Sequence, residues 1–250
     1  MHTNKKLRTY KNIIFLVLIT CLISTILAAN VSCNISLVRG SGNVISEDRA
    51  VSGFSKVSVS GSGNLFLEQG DEESLTIEAE DNILPLIITE VSGNTLKIGF
   101  KTGTSISTIK SIEFHLKVKE LDSISASGSG TINCSGLSTE NLSIKTSGSR
   151  MADISNLKAT SIDINSSGSG NITLAGTTDS QNIESSGSFK YFAEDLKSSS
   201  CVINSSGSCN LLVNVSDDLN IKASGSVKVT YIGTPTITQK TSGSATIKSK

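Results

Sequence analysis

Seven Ser-Gly-Ser tripeptides punctuate the second half of this chain, centred on Gly128, Gly148, Gly168, Gly187, Gly207, Gly225 and Gly243. Their spacings are 20, 20, 19, 20, 18 and 18 residues. A period near 20 marks one supersecondary unit per repeat, too small to bury an apolar face alone and stable only when stacked on its neighbours. That constrains shape far more than it constrains chemistry.

Aligned on these glycines, the repeats show two faces. Four residues before the glycine stand Ile124, Ile144, Ile164, Ile183, Ile203 and Ile221; four after it stand Ile132, Ala152, Ile172, Tyr191, Leu211, Val229 and Ile247. Two before it the side chain is always small: Ala126, Thr146, Ser166, Ser185, Ser205, Ala223 and Thr241. The odd positions are mostly polar. Period-two alternation with β-branched residues is a strand signal, so the even positions face a core and the odd positions solvent. The glycine reads as a bend between two strands, where the backbone needs positive φ or a close approach. The change in spacing falls in the connecting stretch, as surface loops allow. Leu137, Leu157 and Leu196, nine residues after their glycines, supply a third inward side.

The predicted fold is therefore all-β: a single-domain, right-handed parallel β-helix or solenoid over residues 34–250, with coils of about 18–20 residues. Antiparallel hairpins would need two-residue turns such as Asn-Gly at every reversal, and the repeats carry none. The stretch from Asn34 to Leu121 is less regular but alternates similarly, as in Leu75-Thr-Ile-Glu-Ala79 and Ile112-Glu-Phe-His-Leu-Lys-Val118. Asp81 to Val91 is apolar, does not alternate and contains Pro85, which suits a short helix or cap.

Residues 1–33 read as an export signal. Lys5, Lys6, Arg8 and Lys11 precede a 17-residue apolar run from Ile13 to Ala29, the arrangement that keeps the basic end on the cytoplasmic side. As a helix the run reaches only about 25 Å, against roughly 30 Å of hydrocarbon, which favours a cleaved signal over a permanent anchor. Cys33 gives a second reading, as the lipidated first residue of a lipoprotein, although Asn30 stands where Leu is usual. The expected location is the cell envelope (periplasm, outer membrane or cell surface) or the exterior. The membrane is met only through the signal or a lipid anchor.

Beyond residue 33 there are 18 Lys/Arg and 22 Asp/Glu, four negative charges net, which argues against a nucleic-acid partner, since that needs a clustered basic surface. Cys134, Cys201 and Cys209 are odd in number and lie in different parts of the repeat, so free thiols are expected rather than a disulfide framework. No metal site, cofactor or catalytic constellation emerges from the pattern. Asp163, Asp153 and Glu184 occupy different columns, and His115 alternates with Phe114 and Leu116 as an ordinary strand histidine. The Gly-Ser-Gly segments lie between strands, unlike phosphate-cradling loops, which run from a strand into a helix.

What remains is surface. Ser147, Ser149, Ser167, Ser169, Ser186, Ser188, Ser206 and Ser208 flank the glycines, with Asn165, Asn171, Asn204 and Asn210 alongside. Stacking turns them into polar ladders, read either as turn chemistry or as a flat face for a glycan or surface polymer.

Several segments together resemble a known family. They are Arg39-Gly-Ser-Gly-Asn-Val44, Arg49-Ala-Val-Ser-Gly-Phe54, Val57-Ser-Val-Ser-Gly-Ser-Gly-Asn64, Leu75-Thr-Ile-Glu-Ala-Glu-Asp-Asn-Ile-Leu84 and Gly93-Asn-Thr-Leu-Lys-Ile98, followed by the Ser-Gly-Ser series. This order is similar to that of the bacterial head GIN domain family, described as putative auto-transporter adhesins. The resemblance spans roughly Gly40 to the C terminus and implies an exported, envelope-associated, β-helix-like protein; it brings no catalytic residues. The expectation is a non-enzymatic adhesion or binding module. Its expected partner is a surface polysaccharide or another cell-surface component. The alternatives are a glycan-binding or carbohydrate-active protein using the solenoid side, and a structural envelope protein self-associating through its coil ends.

Overall fold

The alternation in the sequence becomes the two faces of a sheet in the computed structural model, which describes residues 36–250. The signal segment 1–33 and Cys33 lie outside the described residues. The strands run β1 (Ser36–Arg39), β2 (Val44–Arg49), β3 (Lys56–Ser62), β4 (Asn64–Gln69), β5 (Ser74–Glu80), β6 (Ile87–Ser92) and β7 (Thr95–Phe100). There follow β8 (Thr104–Ser107), β9 (Glu113–Val118), β10 (Ser123–Cys134), the long extended run β11 (Leu137–Ile232) and β12 (Thr236–Ser249). The cap expected near Pro85 is a single 3-10 turn, Leu84–Leu86. Among the described residues no helix is long and apolar enough to cross a membrane.

The expected right-handed parallel β-helix is not the architecture. The chain is all-β, but its strands form a mixed sheet that makes a nearly closed barrel. The sheet order is β2-β5-β9-β4-β10-β3-β7-β6, with β11 on β10 and β12 on β11; β1 and β8 pair separately. The pairs β2–β5, β5–β9 and β6–β7 are antiparallel, which repetition of one equivalent unit cannot produce. Two physical facts explain the error. Burial alternates with period two in parallel and antiparallel ladders alike, so the pattern is silent about direction. And Gly93-Asn94 joins β6 to β7 as a two-residue hairpin, with Ser92 opposite Thr95 and Gly93 at φ +59°. A Gly-Asn pair between alternating runs is itself a hairpin signal.

Within this mixed sheet the Ser-Gly-Ser segments lie in parallel register. Gly128 is opposite Gly61 on one side and Gly148 on the other, and Gly225 is opposite Gly243. Ser60-Gly61-Ser62 is thus an eighth member of the column. Gly168 shows why the position takes glycine: its φ is +115°, and a Cβ there would lie 2.6 Å from the Gly148 carbonyl oxygen. Both the backbone conformation and the space exclude a side chain.

The even positions are inside in every repeat before the last, whose Ile237 and Thr241 are exposed. The isoleucine column from Ile124 to Ile221 is buried, and so are Leu137, Leu157 and Leu196. The small residues two before the glycine do more than fit. Thr146 donates to Ser166 Oγ (3.0 Å), and Ser185 and Ser205 share a 2.9 Å hydroxyl contact, all four side chains being buried. A second buried chain runs from Tyr191 Oη to Gln181 Oε1 (2.7 Å), from Gln181 Nε2 to Ser198 Oγ (2.8 Å), and on to the Asn214 carbonyl (2.9 Å). Each hydroxyl and amide along it is satisfied, which is what makes a polar path inside an apolar core tolerable.

Arg150 is the exception to an apolar interior. It falls at an even position, opposite Gly130, and is 1% exposed. Its guanidinium donates to the carbonyls of Gly63 (2.9 Å), Gly61 (2.6 Å) and Ser127 (2.8 Å), while Nε has no partner. Gly130 is what leaves room: a Cβ there would meet Gly63 O at 2.0 Å and Arg150 Nη1 at 2.9 Å. Burial lowers the Arg150 pKa, because the charged form loses its water.

The segments that carry the family resemblance also meet in space. Glu80, 1% exposed, accepts from the Gly42 amide (2.7 Å) and the Ile109 amide (3.1 Å). Asp81 accepts from Ser41 Oγ (2.5 Å) and Asn43 Nδ2 (3.0 Å), which hold its carboxyl below the usual range, Asn43 contributing most. Asn82 donates to the Arg39 carbonyl (2.8 Å) and accepts from the Ser41 amide (3.0 Å). The Glu80-Asp81-Asn82 triplet at the end of β5 is therefore the clamp for the Arg-Gly-Ser-Gly-Asn loop between β1 and β2.

Candidate functional site

The serine and asparagine ladders face outward. Ser149, Ser167, Ser169, Ser186, Ser188, Ser206, Ser208 and Asn165 are exposed, whereas Ser147, Asn171, Asn204 and Asn210 are partly buried. Contacts along this face are sparse: Ser62 Oγ lies 3.1 Å from Ser129 Oγ, and Asn165 donates to Glu184 (3.3 Å). Near its end a shallow groove of about 470 Å³ is lined by Asn204, Ser206, Lys222, Ser224, Lys240 and Ser242. Lys222 and Lys240 are direct strand neighbours there. The face is flat, small and chemically uniform.

A different surface forms where the antiparallel strands join. Outward residues of six strands line up across the sheet in the order Asp48, Thr76, His115, Phe66, Asn133 and Asp153. The adjoining row reads Ser46, Glu78, Glu113 and Asn64. Parallel register places the Phe66 ring against the His115 imidazole, centroids 5.0 Å apart and planes 9° from parallel. A groove of about 460 Å³ runs over this pair, and its rim carries Glu68, Lys117, Asn133 and Asp153. Lys117 lies 4.0 Å from Glu68, Thr76 donates to Asp48 (2.6 Å), and His115 Nε2 is 3.5 Å from Glu113 Oε2.

Chemically this is a stacked aromatic pair beside a rim of both charges on rigid strands, suited to holding a polar ligand with apolar C–H groups. The carboxylates singled out in the sequence are engaged elsewhere or apart: Asp163 accepts from Asn182 (3.1 Å), Glu184 binds Asn165, and Asp153 alone reaches this groove. Cys134, Cys201 and Cys209 are free and buried, as expected. Burial pushes the Cys201 thiol up to about 12 and raises that of Cys134, so neither is a nucleophile near neutral pH.

Phe66, Glu78 and Glu113 were not legible as a group. They come from three strands whose order is not the chain order, and only the alternation showed that each points outward. Arg150 was legible in principle, being a charge at an inward-parity position.

Fold and surface define an all-β domain built to present a broad outer face. The family model described as "Putative auto-transporter adhesin, head GIN domain" matches residues 53–235, and the chain belongs to that family. Among solved structures it is similar to a putative adhesin from Bacteroides fragilis NCTC 9343. The TM-score is 0.82 at 27% identity, covering 85% of this chain and 100% of that one. A putative lipid binding protein from Parabacteroides distasonis ATCC 8503 shares the fold at TM-score 0.71 and 22% identity, covering 86% and 100% of the two chains. A putative adhesin from Parabacteroides merdae ATCC 43184 does so at TM-score 0.67 and 20% identity, covering 86% and 99%. No curated protein matches the chain.

Proposed function

We propose that this chain is a non-enzymatic adhesion module of the cell envelope that binds a surface polysaccharide in the groove over Phe66 and His115. The observation that carries the reading is the stacked ring pair set in a sheet face with a carboxylate, amide and ammonium rim. A sugar ring offers apolar C–H groups to the outer edges of such a pair and hydroxyls to such a rim. Membership of a family described as putative auto-transporter adhesins and the likeness to the putative adhesin from Bacteroides fragilis support an exported binding role.

The test is an array of purified surface polysaccharides probed with the chain. Phe66→Ala is expected to weaken the recognised glycan about tenfold, the scale of one lost aromatic contact in a recognition site, while Ser167→Ala leaves binding unchanged. Loss with Ser167→Ala but not with Phe66→Ala would move the site to the serine face. Absence of binding across the array would reject the reading.

A further inference from the structure

We propose that Glu78, Glu113 and His115 form a binding site for a divalent first-row transition-metal ion. One ligand atom from each residue lies within 4.8 Å of the other two. Bonds of about 2.1 Å to oxygen and nitrogen place ligand atoms roughly 3.0–3.5 Å apart around a tetrahedral or octahedral ion, so small side-chain movements close the set on the metal.

Three further features support it. Glu78 and Glu113 are direct partners across the antiparallel β5–β9 pair, and like charges directly opposite one another destabilise a sheet. Neither is relieved by Lys or Arg: among the described residues the one ion-pair contact of either is that of Glu113 with His115. Their outer strand neighbours, Ser46 and Asn64, are neutral. A dication supplies the missing charge.

Second, the backbone is fixed. β5 is paired on both sides by β2 and β9, and β9 by β5 and β4, and ligands on strands hold geometry better than ligands on loops. Third, Phe66 stacks flat on the imidazole and so restricts the ring that must present Nε2. One imidazole with two carboxylates matches zinc and its neighbours, whereas calcium and magnesium prefer oxygen alone. Three protein ligands on a solvent-facing surface leave positions for water or for an oxygen of a second molecule.

Because the set shares only His115 with the groove, it stands whether or not a glycan binds there. Isothermal titration of the chain with ZnCl₂ at pH 7.5 is expected to show one equivalent whose affinity falls about tenfold or more in His115→Ala, Glu78→Gln and Glu113→Gln. CaCl₂ should bind at least about tenfold more weakly than ZnCl₂. A second readout protects against misfolded variants: Glu78→Gln should raise the metal-free Tm, by relieving the opposed charges, and abolish the Tm increase that Zn²⁺ gives the natural chain. Phe66→Ala should weaken glycan binding about tenfold while keeping zinc affinity within about threefold, which separates the two readings. The site is overturned if zinc binds His115→Ala as tightly as the natural chain, if calcium matches zinc, or if the natural chain takes up no zinc at 100 μM.

Discussion

The parallel stack from β10 to β12 and the mixed sheet from β2 to β9 bury the same kind of face and present opposite kinds of surface. In the stack, register sets like on like: Ile124 beside Ile144, Ser127 beside Ser147, Gly128 beside Gly148. Inside, this is an advantage, because identical branched side chains nest. Outside it is a restriction wherever a charge recurs in register, as Lys222 does against Lys240. Small neutral residues avoid that conflict. In the mixed sheet most outward neighbours are unlike: Phe66 meets His115, Glu68 meets Lys117 and Thr76 meets Asp48, with Glu78 opposite Glu113 the exception. Chemical diversity on a sheet face requires non-equivalent neighbours, and here the strand order β2-β5-β9-β4 provides them, in parallel and antiparallel pairs alike.

The comparison breaks most readily at its structural centre. Gly168→Val should destabilise by about 3 kcal/mol or more, from an excluded backbone conformation combined with an overlap at the Gly148 carbonyl. Ser167→Ala beside it should stay within about 0.5 kcal/mol. Denaturant unfolding gives both, and equal small losses would contradict the close packing of the glycine column. Arg150→Ala tests the seam between the two regions. Stripping the guanidinium from the carbonyls of Gly61, Gly63 and Ser127 should lose about 2–4 kcal/mol; a neutral result would mean that those carbonyls are satisfied without it.

A smaller effect belongs to the stack interior. With its thiol pushed up to about 12 by burial, Cys201 should resist alkylation in the native protein at pH 8 and react fully in denaturant, read by peptide mass spectrometry. Rapid native labelling would show that the core opens there. The smallest effect lies in the clamp on the mixed-sheet side. Asp81 is held below its ordinary pKa by Asn43 and Ser41, so the unfolded chain binds its proton more tightly than the folded one. The contribution is complete above the unfolded pKa of about 3.9 and is lost as pH falls through the lower folded value. Asp81→Asn should flatten the acid limb of the stability curve, and an unchanged slope below pH 4 would refute the linkage.

The difference between the regions also explains what the sequence could reveal. Parallel in-register stacking writes three-dimensional neighbours into a fixed period, so the isoleucine column, the inward Leu137, Leu157 and Leu196, and the bend glycines can be read by alignment alone. Where β9 is inserted between β5 and β4, no period relates His115 to Phe66 or Glu113 to Glu78. Their proximity is set by strand order, which alternation does not encode. Gly93-Asn94 did encode one reversal, but a single hairpin signal is faint beside seven tripeptides. The inner hydroxyl pairs were half visible: size gave their position, and only the burial of Thr146 and Ser185 shows that their oxygens bond to the next layer rather than to water.

The contacts of Arg150 predict a folding order. Its carbonyl acceptors lie 87, 89 and 23 residues earlier, so a desolvated guanidinium at the start of the stack has nowhere to discharge its hydrogen bonds until the turn between β3 and β4 is in place. Closing so long a loop carries a large entropic cost, which favours completing the N-terminal sheet first. The stack then grows on it as on a template, each layer adding local contacts to an edge already formed. Synthesis delivers the chain in that same direction, so the template is available before the layers that need it. In kinetic terms, Arg150→Ala should slow refolding more than it speeds unfolding, whereas a change in the last layers should act mainly on unfolding.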